Sequence, residues 1–447
     1  MKGIIFGILA VFAMSVTGQE VMTLERAISL ALEHNLLLKI NETDIQIAEN
    51  NNTWGRAGKY PTIDLNSTFQ STLINDNNPA SFLNGTFFTG GLGIALDVNW
   101  QVYNGGRVRV SKDQLEVAIT QNRQQRDLTI QNLIRDVTLA YQNVLFQQER
   151  YDLLAETLKL SHARLDYEET KRDFGGSNAF NLIQFESAVI TDSIALITQE
   201  NALEVSKRDL YDLLTLPSDQ DYVYTALLQV TPTPPNPELL KEELDEQNLT
   251  LRSLSVISEI QALNTALSES FQKPSIILNT TGGVTENYFK FFGENPQTGE
   301  TLPGVFSERF NVGLTASLNW NLYDGGVRKT DIQNAKLSEE IAQMDILDAT
   351  MDLYNQVDIL SANYTNQVEQ LQLADERLQI AARNLIMAEE RLKLGRITSI
   401  DFRNIQNQNV AAAFEKVSAI FNLINTQTQL DWLVGRYGSE DEGANLR

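Results

Sequence analysis

The 447-residue sequence contains no cysteine and only two histidines, His34 and His162. Without cysteine there is no disulfide, no thiolate metal site and no acceptor for a lipid anchor. Both histidines fall in helical stretches with no Asp or Glu partner at a metal-ligand spacing such as H-E-x-x-H, which argues against a metalloenzyme and leaves no cofactor implied. Positive charge is scarce as well. The 35 Lys and Arg stand against 58 Asp and Glu, and the formal charge of −23 disfavours nucleic acid or an anionic membrane surface as a partner. Long apolar runs are missing beyond residue 16: the 13-residue stretch from Ile4 to Val16 is too short to span a bilayer, and no other segment reaches 18 apolar residues, so a helical membrane span is not expected. Placed after Lys2 and before the small residues Thr17-Gly18, that stretch reads as an export signal covering residues 1–18.

Two stretches of 68 residues, 107–174 and 327–394, contain neither glycine nor proline, and each is entered through Gly-Gly and ended by Gly. As single helices at ~1.5 Å per residue, each would be about 100 Å long. The entries match: NWQVYNGG ends at Gly106 and NWNLYDGG at Gly326, a shift of 220 residues that also carries Gly175 onto Gly395 and Leu210-x-x-Leu213 onto Leu430-x-x-Leu433. The chain is therefore an internal duplication. Its ten prolines avoid the four stretches 107–174, 177–216, 327–394 and 396–434, as long helices require. Pro217 to Pro237 mark a linker. The expected order is a signal at 1–18, a first repeat at 19–216, the linker at 217–237, a second repeat at 238–435 and a tail at 436–447.

Within the first repeat, Leu24, Ala27, Ile28, Ala31 and Leu32 sit at helical spacing, and the helix they begin is expected to run to about Gly58. After Pro61 the period becomes two. Ile63, Leu65, Phe69 and Leu73 alternate with Asp64, Asn66, Thr68, Gln70 and Thr72; the return run alternates from Leu92 to Val102. The second repeat does the same from Phe310 to Leu322, so β-hairpins are expected at 62–103 and 275–323, apolar on one face and polar on the other, with Pro79, Pro296 and Pro303 in their loops. Gly105-Gly106 and Gly325-Gly326, with Tyr103 and Tyr323, mark the strand-to-helix junctions; the other glycines of a phosphate-binding fingerprint are absent. Leu371, Ala374, Leu378, Ala381, Leu385, Ala388 and Leu392 form an unbroken heptad, with Gly175 and Gly395 as left-handed turns at the tips of two helical hairpins.

In an exported chain with no spare helix to cover the sheet, the apolar strand faces point to outer-membrane lipid, where open edges are not tolerated and strands must close into a barrel. Four strands cannot close alone. Two copies would give a lumen filled by side chains, and three, with twelve strands, leave a channel. Trp100 and Trp320, near the helix-proximal strand ends, fit an inner aromatic girdle. An open alternative is a structural coiled-coil surface protein without a pore.

The duplicated plan, the N-terminal TLERAISLALEHN, the helix-to-strand KYPTIDL and QKPSIIL, and the two W-x-x-Y-[ND]-G-G junctions resemble the TolC-type outer membrane efflux protein family over nearly all of the chain after residue 19. The resemblance implies a mixed α and β membrane protein: a homotrimer with a 12-stranded outer-membrane β-barrel continued by a long periplasmic α-helical barrel. It further implies a periplasmic adaptor and an inner-membrane pump as partners. The function it implies is a passive exit duct for efflux, or for type I protein secretion. In that family an acidic ring narrows the periplasmic aperture. Aligned on Gly395, the ring position is Asp401, and a second acidic position falls on Asn404; Asn181 and Gln184 are the neutral equivalents in the first repeat.

Overall fold

The structure is a computed structural model, and it describes residues 20–78, 85–217, 222–294 and 298–438. The export signal, Pro79, Pro296 and the end of the tail lie outside the described residues. The chain forms two compact units, comprising the described residues of Met1–Glu42, Gln124–Arg252 and Asp348–Arg447, and those of Thr43–Arg123 and Ser253–Leu347.

Each repeat opens with two helices in place of the single helix expected. In the first, α1 (Leu24–His34) and α2 (Leu36–Asn51) meet at Asn35; in the second, α5 (Pro237–Gln247) and α6 (Leu249–Ser270) meet at Asn248. Each asparagine ends one helix with its backbone N–H, given to Ala31 O or Leu244 O, and starts the next with its side chain, which accepts from Leu38 N at 3.1 Å or Leu251 N at 2.9 Å. Asparagine's short amide competes for backbone groups in this way, so a helix that periodicity alone would continue is broken. Helix α2 also stops at Asn51, short of Gly58, which turns with φ 85°.

The long helices are α3 (Arg107–Asp173) and α7 (Val327–Lys393), returned by α4 (Ala179–Leu214) and α8 (Ser399–Leu433). Gly175 (φ 73°) and Gly395 (φ 67°) make the left-handed turns. Their N–H groups bond Arg172 O and Leu392 O, while Gly176 N and Arg396 N reach back to Lys171 O and Arg391 O. This pair of bonds satisfies carbonyls that the ending helix leaves orphaned.

In the helical unit, equivalent residues build two cores. Met22, Ala27 and Ala31 pack on Val137 and Val144 of α3 and Leu203, Leu210 and Leu214 of α4. Leu240 and Leu244 of α5 pack on Val357 and Tyr364 of α7 and Leu423, Leu430 and Leu433 of α8. Each such leucine contributes about 1.5–3 kcal/mol. The heptad turns inward: Ala374, Ala388 and Leu392 are buried, and the last two pack on Phe185 and Phe402 of the same chain. A second stripe, spaced by seven along α7 and ending one residue past it, is open instead, with Leu373, Ile380, Met387 and Leu394 exposed by 65, 60, 52 and 66 %. Helix α4 likewise exposes Ile183, Ile190, Ile194 and Ile197. Contrary to expectation, α4 is long and apolar enough by length and composition to cross a membrane, although it buries Leu182, Phe185 and Ala188 within the protein.

The other unit holds one antiparallel sheet in the order β1 (Thr62–Asp76), β2 (Gly85–Tyr103), β3 (Ser275–Phe291) and β4 (Val305–Asn319). β2 and β3 join the repeats, and β1 and β4 are the end strands. β4 stops at Asn319, so Trp320 to Tyr323 lie past the strand rather than in it.

Candidate functional site

Direct cross-strand partners share a face, so the register assigns the two sides of the sheet. Leu65, Leu96, Gly282 and Val312 form one row, and Phe69, Leu92, Glu286 and Glu308 another, on the apolar face. Asn66, Ala95, Gly283 and Asn311 form a row on the polar face. There Asn66 Nδ2 and Thr281 Oγ1 each donate to the Asp97 carboxylate at 2.6 Å, and Asp64 lies directly opposite Asp97. A groove on this face is lined by Asn66, Thr68, Gln70, Gly91, Thr285 and Asn287. Gly283 keeps β2 and β3 close, since a Cβ there would sit 2.8 Å from Ile94 O. The expected two-faced pattern holds over the runs Ile63–Leu73 of β1, Leu92–Val102 of β2 and Phe310–Leu318 of β4, outside which Glu308 falls on the apolar face and Ile74, Phe87 and Val305 on the polar one. β3 departs from it, placing Thr280, Glu286 and Lys290 on the apolar face, because its alternation is interrupted in the sequence itself.

Aromatic residues mark both ends of the apolar face. At the helix-proximal end, Trp100 Nε1 donates to Lys59 O and Trp320 Nε1 to Gln272 O, both at 3.1 Å. The acceptor is in each case the carbonyl two residues before the proline that starts the hairpin. The two tryptophans therefore tie strand end to strand start besides presenting an amphipathic ring at the surface. At the loop end, Phe88, Tyr288 and Phe306 form a row with ring centroids 6.1 and 4.7 Å apart, which periodicity did not single out.

Both junctions carry a cap. Asn104 Oδ1 accepts from Val108 N, and Asp324 accepts from Gly326 N, Arg328 N and Arg328 Nε. The Arg328 guanidinium holds the Asp324 carboxyl below the usual carboxylate range. Gly105, Gly106, Gly325 and Gly326 all have positive φ, between 74° and 95°, as the sharp exit from strand to helix requires. Tyr103 and Tyr323 stand exposed beside them.

At the hairpin tips, Thr398 and Asp401 form a capping box: Asp401 N donates to Thr398 Oγ1 at 3.2 Å, and Thr398 N and Oγ1 donate to Asp401 Oδ2 at 3.2 and 2.7 Å. The Thr398 hydroxyl, and then its backbone N–H, lower the Asp401 pKa. Asp401 and Asn404 are both exposed, one helical turn apart. Asn181 meets the second hairpin two residues before Asp401. It accepts from Ser399 Oγ at 3.1 Å, across from the other hairpin, and Gln184 is half-buried. Beginning two residues after Asp401 is a polar cluster that composition does not reveal: Arg403 Nη1 donates to Asp192 Oδ2 at 2.8 Å, and Ser161 Oγ donates to the same oxygen at 2.6 Å. Asp192 and Ser161 are 5 % and 2 % exposed and Arg403 is half-buried, so this cluster joins α3, α4 and α8 with its carboxylate shielded from water.

The family model for the outer membrane efflux protein matches residues 27–215 and 292–436. The outer membrane protein TolC of Vibrio cholerae is 25 % identical over 344 residues, covering 74 % of each chain. Among solved structures, the fold is similar to that of the Campylobacter jejuni CmeC outer membrane channel, with a TM-score of 0.75, 14 % identity and coverage of 94 % of this chain and 88 % of that one. It is also similar to the open state of the Neisseria gonorrhoeae MtrE outer membrane channel, with a TM-score of 0.69, 18 % identity and coverage of 92 % and 88 %.

Proposed function

This chain belongs to the outer membrane efflux protein family, a family of outer-membrane channels rather than enzymes, and from that premise we propose that three copies join head to tail into a passive exit duct. The observation that carries the assembly is which surfaces the duplication leaves open. Inside the chain β2 pairs with β3, and α3 packs on α8, with Phe146 and Phe421 stacked at 4.4 Å. A shift of 220 carries β2 onto β4, α3 onto α7 and α8 onto α4, and a shift of 213, which aligns Pro274 with Pro61, carries β3 onto β1; these are the end strands and the helices with open stripes. Satisfying them by the same contacts makes a heterologous interface, which closes into a ring when the rotation allows.

The mapped register is consistent with this. Leu96 opposite Gly282 becomes Ala316 opposite Phe69 of the next copy, both on the apolar face, and Thr89 opposite Phe289 becomes Arg309 opposite Asp76, a charge pair on the polar face. Burying the exposed part of four apolar side chains from each of α4 and α7, where full burial is worth about 1.5–3 kcal/mol each, offsets a cost of association of roughly 4–15 kcal/mol. Three copies give twelve strands and an open lumen lined by the polar face. From Trp100 to Phe88 the strand advances twelve residues, about 40 Å at ~3.3 Å each. Tilted by ~40°, that spans about 30 Å, the hydrocarbon thickness of a bilayer. The loops then face outward and the helical unit stands in the periplasm, where the Asp401 side chains ring the aperture. An inner-membrane pump, coupled by a periplasmic adaptor, supplies the driving force.

The interface is tested by cross-linking. The stacked pair Phe146 and Phe421 maps onto Asn366 of α7 and Asn201 of α4, both exposed. In this cysteine-free chain, Asn201→Cys with Asn366→Cys should be joined between copies by a short bis-maleimide, giving a covalent trimer on denaturing gels, and neither single variant should be. Cross-links confined within one chain, or a monomer by mass in detergent, would overturn the assembly.

A further inference from the structure

The polar face of the sheet stops being polar at its loop end. Ile74 of β1 lies opposite Phe87 of β2, Phe87 opposite Phe291 of β3, and Phe289 opposite Val305 of β4. Parity of the register puts all five on the side that carries Asn66, Thr68 and Asp97, and the Phe87 and Phe289 rings stand 5.6 Å apart. An apolar band therefore crosses all four strands, stepping by two residues from Phe291 to Phe289 on β3, and is backed on the opposite face by the Phe88, Tyr288 and Phe306 row. The row on the apolar face suits a membrane interface. The band on the other face has no lipid to meet, and three phenylalanines per chain there bring nine rings to the mouth of a trimer.

Resting on the exit-duct reading, we propose that Phe87, Phe289 and Phe291 form an apolar collar at the outer mouth of the lumen that resists small hydrated ions more than uncharged solutes. Below the collar, amide, hydroxyl and carboxylate groups hydrate a passing ion, with Asp97 held in place by Asn66 and Thr281. Within each chain ring carbons replace those partners at the collar, while the proposed Asp76–Arg309 pairs stand at the seams between copies. An ion passing over the rings loses part of its hydration without compensation there, whereas an uncharged solute loses little. The collar is a specificity element distinct from the charged aperture at the helical tips.

The test uses Thr68→Cys, which lies on the polar face six residues below Ile74, in trimers inserted in a planar bilayer. Two thiol reagents of matched size, one cationic and one neutral, are added from the loop side, and the rate of current block is read. Adding Phe87→Tyr, Phe289→Tyr and Phe291→Tyr enlarges each side chain but gives it a hydroxyl. The cationic reagent should then block about threefold faster or more, with the neutral reagent unchanged, while Phe88→Tyr on the other face should alter neither rate. If both reagents speed up equally, or neither does while Thr68→Cys is still blocked, the collar is wrong and the duct stands. If Thr68→Cys cannot be blocked and Leu314→Cys can, the face assignment falls and the collar with it. Should the triple variant fail to assemble, Phe289→Tyr alone is read in the same way.

Discussion

Position 183 in the first repeat is an isoleucine, 58 % exposed on α4; the equivalent position 220 residues later is Arg403, whose guanidinium lies against the buried Asp192 carboxylate. The rest of the stripe diverges in burial too. Ile190, Ile194 and Ile197 of α4 are open, while their equivalents on α8, Val410, Phe414 and Val417, are half-buried, Phe414 beneath the Arg150 guanidinium at 4.8 Å. The backbone devices have not diverged. Both repeats break a helix at an asparagine, tie a tryptophan to the carbonyl two before a proline, and turn at a left-handed glycine. The difference shows how a duplicated chain can keep one architecture while its copies part in burial: α8 is half-covered by its own chain, and the isoleucine stripe of α4 stays open.

The largest effect should come from the residue that most separates the two repeats. Arg403→Met leaves Asp192 buried with only Ser161 and should cost about 3–5 kcal/mol, as removing one partner of a buried pair does. Combining it with Asp192→Leu, which removes the stranded charge, should recover most of that loss. Thermal unfolding followed by circular dichroism measures both. If Arg403→Met alone unfolds like the parent protein, the cluster is solvated and the contrast with Ile183 carries no energetic meaning.

The next comparison is between neighbours on one strand. Leu314 and Thr315 of β4 point to opposite faces. Leu314→Arg puts a charge on the apolar face and should cost about 2–4 kcal/mol if it sits near the bilayer midplane; Thr315→Arg should cost much less. Refolding into lipid against denaturant gives both numbers, and equal costs would show that the faces are misassigned.

How much of this could be read from the sequence depends on the range of the interaction. The faces of β1, β2 and β4 follow from a period of two, and the glycine turns and Gly-Gly exits from backbone geometry that few other residues tolerate. β3 is obscured because Thr280, Glu286 and Lys290 interrupt its apolar side. The heptad from Leu371 to Leu392 was legible as a packing stripe, yet nothing local says whether it packs on its own chain or another. The structure puts it inside and shows the Leu373, Ile380, Met387 and Leu394 stripe outside. Asp192 and Arg403 are 211 residues apart, and each looks like an ordinary charge on a solvated helix until the fold brings them together. The collar needed the register, since Phe87 and Phe88 are adjacent in sequence and only pairing tells their faces apart.

The smallest effect on folding, and the sharpest contrast between the tips, is expected at Asp401. The first tip is capped by Asn178, whose side chain accepts from Asn181 N at 2.9 Å and does not titrate; the second uses Thr398 with Asp401. Hydrogen bonds from the Thr398 hydroxyl and backbone N–H depress the Asp401 pKa below 3.8. A carboxylate with a lowered folded pKa contributes stability that is present above its unfolded value and lost as pH falls through the folded one. Acidification below about pH 4 should therefore loosen the second cap and leave the Asn178 cap unchanged, which site-resolved hydrogen exchange at residues 398–402 and 178–182 can compare. Asp401→Asn keeps an acceptor at the cap and should abolish that difference while changing thermal stability little. It also removes three charges from the proposed aperture, where converging carboxylates favour cations. Trimers of the variant in planar bilayers should accordingly lose cation selectivity and resist block by trivalent cations added from the helical side. Unchanged selectivity together with a loss of stability would mean that Asp401 serves the helix alone, and that the two tips differ in capping chemistry without differing in what they admit.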